Sequence, residues 1–266
     1  MIAGVDVALV RADNPGPLTL SGTNTWLLGR DPCWVVDPGP ALDAHLDAVA
    51  HAAALRGGVG GIALTHDHGD HVEGLPGLLV RVGDGVPVAR TGRLGPLRAL
   101  STPGHSPDSV VWIADDVAFS GDSVLGEGSV FVSGQLGEYL TALANLRTLG
   151  LRLLLPGHGD PVVDPQARLA ELIAHRLERE RRLVAALDGG ARTVDALLDE
   201  AWSDAPPALR PAAAWSLAAH LDKLDAEGRL PAGVERPSST GRATWSRSPR
   251  CPSCSPYTCC RPAERR

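Results

Sequence analysis

Lysine is almost missing from this chain. Lys223 is the only one among 266 residues, so arginine carries nearly all the positive charge. Metal or substrate roles that need an amine are therefore almost unavailable. Phe and Tyr are scarce, two of each, which leaves no stripe of aromatic rings on which successive bases of a single strand could stack. No apolar run approaches the ~18 residues of a membrane-spanning helix. The opening, residues 1–10, has neither a basic start nor a cleavage site, so no signal peptide is read and a cytoplasmic protein is expected. Bases are fewer than acids, 25 against 31. That argues against broad, nonspecific binding of polyanions, a local basic groove aside.

What is present describes a folded protein. The chain is 44% hydrophobic and 21% charged, enough for one large domain or two small ones and too apolar for global disorder. The charge is uneven. Residues 236–266 hold seven Arg and one acid, Glu264, so the rest is about twice as acidic as the net charge of −6 implies. Four of five Cys (Cys251, Cys254, Cys259, Cys260) also lie there. Four thiolates suffice for zinc, but the spacing is short and no periodic element frames them. A disordered or aberrant tail is the better expectation, of the kind that a frameshifted end would produce. Cys33, at a strand start, reads as a small core residue.

Strands and helices alternate through the first part. Residues 26–28 and 34–36 read as strands around a 29–32 turn. Residues 41–56 are predicted helical, with Leu42, Leu46, Val49 and Ala53 on one face. Residues 61–64 form a short buried strand, and a Gly/Pro-rich stretch, 82–104, follows a short helix. A hairpin at 110–119 turns around Asp115-Asp116; a helix over 138–149 and a strand over 151–155 follow. This order predicts layered sheets with helices outside. From Asp164 the pattern is all helical. A long helix runs to Leu187, Thr193 caps a second, and Pro211 opens a third that Gly228 closes. The predicted organisation is a first domain over 1–187, a winged-helix-like domain over 188–235, and the tail over 236–266.

The chemistry sits in strand-end loops. Thr65-His66-Asp67-His68-Gly69-Asp70-His71 follows an apolar strand and precedes a helix. Neutral imidazoles packed this densely need partners, and charged ones repel; a divalent cation answers both by taking the nitrogen lone pairs. His66 and His68, two apart in an extended loop, can point the same way. Asp70 and His71 diverge enough to reach a second ion. Three more candidates end apolar strands beside Gly or Pro: His105, Asp122 and His158. Glycine permits the sharp turn that aims such a ligand.

This set, H-x-H-x-D-H with a downstream His, Asp and His, resembles the metallo-β-lactamase signature. The resemblance implies an α/β fold, the αββα sandwich, followed by the small helical winged-helix-like domain. It implies a first metal on His66, His68 and His105, a second on Asp70, His71 and His158, and Asp122 bridging both. The implied enzyme is a zinc-dependent hydrolase using a hydroxide shared between two divalent ions, with Asp70 also the catalytic residue that orients the water and moves its proton. Nitrogen and carboxylate donors without Cys favour zinc, with manganese or iron as alternatives. His68 stands where the related flavo-diiron proteins resemble one another in having Glu. True β-lactamases typically lack the His71 equivalent or use Cys at the Asp122 position.

Residues 121–128, 156–159 and 174–176, with 193–195 and 211–228, resemble the β-lactamase-like protein 2 branch. Members of that branch imply two activities: a single-stranded RNA phosphodiesterase, as in the animal proteins, and a thioester or acyl hydrolase, as in fungal polyketide enzymes; the seven ligands also resemble those of glyoxalase II. A third expectation is an impaired, non-catalytic relic, since only 33 residues separate His71 from His105. His175 and Arg176 are either a solvated helix face or a grip on a substrate phosphate or carboxylate at the mouth. Glu127 reads as a brace for the loop after Asp122. The expected substrate is a small ester or thioester, or single-stranded RNA, and no membrane partner is expected. Duplex DNA is not, because the third helix offers Lys223 as its one base in the core of the stretch. Packing on the metal domain as a lid, or as the surface of a homodimer, is the expected use of that helix.

Overall fold

In a computed structural model, residues 2, 4–132 and 135–237 are described. The tail cysteines, and the expectation of a disordered tail, lie outside them apart from 236–237. Two five-stranded mixed sheets stack face to face. The first runs in the order β1 (Val7–Arg11), β2 (Asn24–Leu28), β3 (Cys33–Val36), β4 (Val59–Ala63), β5 (Val88–Ala89). The second runs in the order β10 (Leu153–Pro156), β9 (Val117–Gly121), β8 (Val110–Ala114), β7 (Leu97–Ser101), β6 (Arg93–Leu94).

Strands β2, β3, β8, β9 and β10 are buried on both faces along most of their length, which is why most of them read as apolar runs. Successive side chains alternate between layers. Trp26, Val36 and Ala63 meet Trp112, Phe119 and Leu155 between the sheets. Leu27, Val35 and Ile62 face outward, under α1 (Asp43–Ala54) and α3 (Leu75–Val82). Val111, Ala118 and Leu154 face the other way, under α4 (Leu136–Arg147) and the start of α5 (Pro165–Asp188). This is the αββα sandwich.

Hydrogen bonds across the sheets fix the two halves at one end. Trp26 Nε1 donates to the Pro156 carbonyl at 2.9 Å, and Trp112 Nε1 donates to that of Leu64 at 2.9 Å. Asn24 N reaches Gly157 O at 2.7 Å, and Val110 N reaches Thr65 O at 2.9 Å.

The C-terminal region is helical. Asp164 caps α5 by accepting from Ala167 N, and Thr193 caps α6 (Val194–Ala201) by accepting from Ala196 N. A short 3-10 turn leads into α7 (Arg210–Ala226). Leu183, Leu187, Leu197, Leu217 and Leu221 form its own core. Yet Ala219 of α7 and Leu169 and Leu172 of α5 belong to the core beneath the second sheet, so two helices serve both. Among the described residues no helix is long and apolar enough to cross a membrane.

Two segments differ from the sequence reading. Residues 82–104, read as Gly/Pro-rich connection, supply β5, β6 and β7, so the short span still builds an edge of each sheet. The N-terminal stretch supplies β1, which pairs antiparallel with β2, Val7 opposite Leu28. Short edge strands gain their definition from pairing, which composition does not report.

Candidate metal centre

Every predicted ligand lies just past the carboxyl end of a strand. His66 and His68 follow β4; Asp70 and His71 sit on the short helix α2 (Gly69–Val72) that continues the same loop. His105 follows β7, Asp122 follows β9 and His158 follows β10. These strands run the same way within their sheets, so their ends meet at one rim.

The structure brings all seven together, in two groups. His66, His68, His105 and Asp122 place one donor atom each within 4.8 Å of one another, and so do Asp70, His71 and His158. In the first, His68 Nδ1 lies 3.0 Å from His66 Nε2 and 2.9 Å from His105 Nε2. In the second, His158 Nε2 lies 3.3 Å from His71 Nε2 and 3.2 Å from Asp70 Oδ2. Asp122 faces both groups: Oδ2 is 3.5 Å from His105 Nε2 and 3.4 Å from His158 Nε2, while Oδ1 is 3.5 Å from His71 Nε2.

The outward ring nitrogens are held by a supporting shell, which sets which inward atom carries a lone pair. His71 Nδ1 donates to Asp37 Oδ2 at 2.9 Å, and His66 Nδ1 donates to Thr65 Oγ1 at 2.9 Å. Thr65 is itself fixed on Asp37, through Oγ1 at 2.7 Å and its backbone N–H at 2.8 Å. His105 Nδ1 donates to the Phe131 carbonyl at 3.1 Å, and His158 Nδ1 to that of Gly22 at 3.3 Å. Thr23 Oγ1 donates to Asp70 Oδ2 at 3.0 Å. Asp37, Thr65 and Thr23 were not among the candidates. Asp37 carries the signal used for the others, a carboxylate ending an apolar strand before Pro38-Gly39; the two threonines carry none.

Electrostatics sort the cluster. Burial pushes His66 well below its ordinary value and, with His105 beside it, His68 down to about 4; burial also lowers His105. Burial opposes charge on His71 and His158 too. There the Asp122 carboxylate, with Asp70, outweighs it, raising His71 well above the ordinary range and His158 to about 9. Burial likewise works against the carboxylates, yet the facing histidines hold Asp122 well below its usual range and Asp70 at about 2. The centre is built for cations. Inward ring nitrogens face one another at hydrogen-bond distance, protons on His71 and His158 stand where cations would displace them, and the buried Asp122 Oδ1 has no hydrogen-bond partner. Nitrogen and carboxylate donors in two adjoining groups fit two divalent ions.

Glycine is required at two points. A Cβ on Gly157 would come within 2.5 Å of Asp122 Oδ1 and 2.6 Å of His71 Cε1. Gly121, at φ +48°, would place one 2.4 Å from Thr65 Oγ1.

The remaining candidates lie elsewhere. Arg176 is 2% exposed and turned inward. Its guanidinium bonds Ser129 Oγ at 2.8 Å and the Val130 carbonyl, and lies over the Tyr139 ring. It is thus neither a solvated face nor open to a substrate anion at the mouth. His175 is half-buried beside Arg179, which donates to its Nε2 at 3.4 Å. Asp67, between the two loop histidines, is exposed and paired with Arg90.

Comparison with known proteins agrees with this geometry. A family profile described as "Beta-lactamase associated winged helix domain" matches residues 193–232. The chain is 32% identical to a "Beta-lactamase-like protein 2 homolog" of Caenorhabditis elegans, over 84% of this chain and 85% of that one. It is 34% identical to an "Atrochrysone carboxyl ACP thioesterase" of Aspergillus chevalieri, over 68% of this chain and 65% of that one. Among solved structures, a metallo-β-lactamase family protein from Thermus thermophilus superposes with a TM-score of 0.63 at 25% identity, covering 84% of this chain and 94% of that one.

Proposed function

Because this chain belongs to the metallo-β-lactamase superfamily, in the branch of the β-lactamase-like protein 2 homologues, we propose that it is a dinuclear zinc hydrolase acting on an acyl thioester or ester. His66, His68 and His105 would hold the first ion and Asp70, His71 and His158 the second, with Asp122 facing both groups. The observation that carries the reading is Asp122: its two oxygens face ligand nitrogens of both groups. When bound, two divalent ions would lower the pKa of a bound water to about 7 and offset the negative charge that develops on a substrate oxygen.

The chain's own residues do the rest. Asp70 is the residue that orients a water. Its side chain is 14% exposed against 0% for His71 and 2% for His158, so it is the member of its group that solvent reaches. Thr23 fixes one of its oxygens. The facing histidines, against burial, hold Asp70 at about 2, so it is ionised and can orient a water by accepting its hydrogen bond. Asp37 and Thr65 keep His71 and His66 in the tautomers that present Nε2 inward.

An acyl substrate is favoured over RNA by two observations. The chain up to residue 235 is strongly acidic, whereas strand binding depends on many phosphate contacts. A relative 34% identical over 68% of this chain is named a thioesterase. The test is metal analysis followed by parallel assays on acyl-CoA, acyl-glutathione and single-stranded RNA. About two zinc equivalents and thioester turnover are expected. RNA cleavage without thioester turnover would move the substrate to the phosphodiester class; absence of bound metal would overturn the hydrolase reading.

A further inference from the structure

The outward nitrogen of His105 depends on a loop that other regions hold. The Phe131 carbonyl that takes its Nδ1 proton lies between β9 and α4, outside both sheets. The same loop is gripped from α5. Arg176 bonds Ser129 Oγ and the Val130 carbonyl, immediately before Phe131. It is gripped from α7 as well, where Trp215 meets the Phe131 ring edge to face, centroids 6.3 Å apart and planes at 87°. The Arg176 carbonyl in turn faces His220 Nε2 of α7 at 3.4 Å. Trp215 and His220 both belong to the 193–232 segment.

We propose that Arg176 is a positioning residue for the first metal site: with Trp215 it fixes the Phe131 carbonyl, and thereby the direction of His105 Nε2. The winged-helix region is in this way wired to one half of the centre. A buried arginine is costly unless its donors are used; here Nη2 makes both bonds while the buried Nε has no partner among the described residues, and the stretch it holds, 129–131, bears no ligand of its own but orients one. The outer contacts of the second group come from Asp37, Thr23 and Gly22 and not from the Phe131 carbonyl, so a shift confined to residues 129–131 falls first on the ion that His105 serves. The inference rests on the dinuclear reading above.

The experiment uses the full chain and zinc alone, titrated against a chromophoric chelator. Wild type is expected to show two equivalents. In Arg176→Met one equivalent weakens by about 10–100-fold, the size usual for a lost supporting contact, and the other holds. In the cobalt-substituted protein, the absorption lost should be that missing from His105→Ala. Arg176→Lys, which keeps a charged nitrogen donor, restores part of the affinity. Arg179→Met supplies the structural control. That arginine is also buried on the same helix but bonds Ala201 O and Asp204, so its loss lowers thermal stability and leaves both equivalents intact.

Should Arg176→Met not fold, Trp215→Ala decides, with an expected same-site loss of about threefold to tenfold for one aromatic contact. Two wild-type equivalents that either folded variant leaves unchanged, or weakens equally, overturn the inference alone. No zinc uptake by wild type overturns the dinuclear reading and this inference with it.

Discussion

Asp37 is the residue whose replacement should reveal most about the centre. Its carboxylate accepts three buried hydrogen bonds, from Thr65 N–H, Thr65 Oγ1 and His71 Nδ1, and it is 2% exposed. In Asp37→Ala all three donors lose their acceptor. At about 1–3 kcal/mol for each orphaned donor, and with partial relaxation, a loss of about 3–6 kcal/mol is expected, a large share of a typical domain's stability. Asp37→Asn is the sharper probe because it keeps the shape. Its amide oxygen can still accept from Thr65 N–H, but its NH2 then faces two donors. His71 escapes the clash by moving its proton to Nε2, which removes the lone pair a cation needs. Zinc affinity of the His71 group should therefore fall by about 10–100-fold, with a smaller effect on His66 through Thr65. Chelator competition on wild type and Asp37→Asn reads this directly, with thermal unfolding of the metal-free proteins as the check on folding. A folded Asp37→Asn that binds both equivalents like wild type would refute the idea that this carboxylate sets the tautomer.

Zinc affinity should climb with pH between about 6 and 9. His71, raised well above its ordinary range, and His158, raised to about 9, hold protons that a cation must displace, so competition at pH 6, 7.5 and 9 should show steady tightening. Gly157→Ala drives a methyl into Asp122 and His71 and should cost both metal affinity, measured by the same titration, and about 1–3 kcal/mol of stability. Leu154→Ala, fully buried beneath the second sheet, should lower stability by about 2–5 kcal/mol in denaturant unfolding while leaving two zinc sites.

The sandwich and its ligand loops were legible because both follow from short-range rules. Apolar runs bounded by Gly and Pro gave most strands, and ligand-type side chains at their ends gave the seven candidates. Asp37 met the same description and was passed over because it stands alone, 28 residues before Thr65, with no histidine beside it. The supporting carbonyls of Phe131 and Gly22 carry no side-chain signal whatever. Arg176 misled for the opposite reason. Among Glu178, Arg181 and Arg182 it looks like one more surface charge, and only the return of residues 129–130 against α5 turns it inward. The edge strands β1, β5 and β6 are likewise made by partners far along the chain.

The two ion groups are also unequal in construction. The second is fastened to the sandwich itself. Asp37 ends β3, Gly22 and Thr23 lead into β2, and the cross-sheet bond from Asn24 N to Gly157 O fixes the loop that carries His158. Whatever happens at the C-terminal helices, those anchors stay with the two sheets. The first group takes two ligands from the β4 loop, on the same rigid frame, but its third from a loop whose supporting carbonyl is clamped by α5 and α7. Since α7 packs simultaneously on its own core and, through Ala219, on the core under the second sheet, a shift of that helix cannot leave the Phe131 ring undisturbed. The chemistry of the centre is thus set by the sheets, while the geometry of one of its seven ligands is delegated to the helical region.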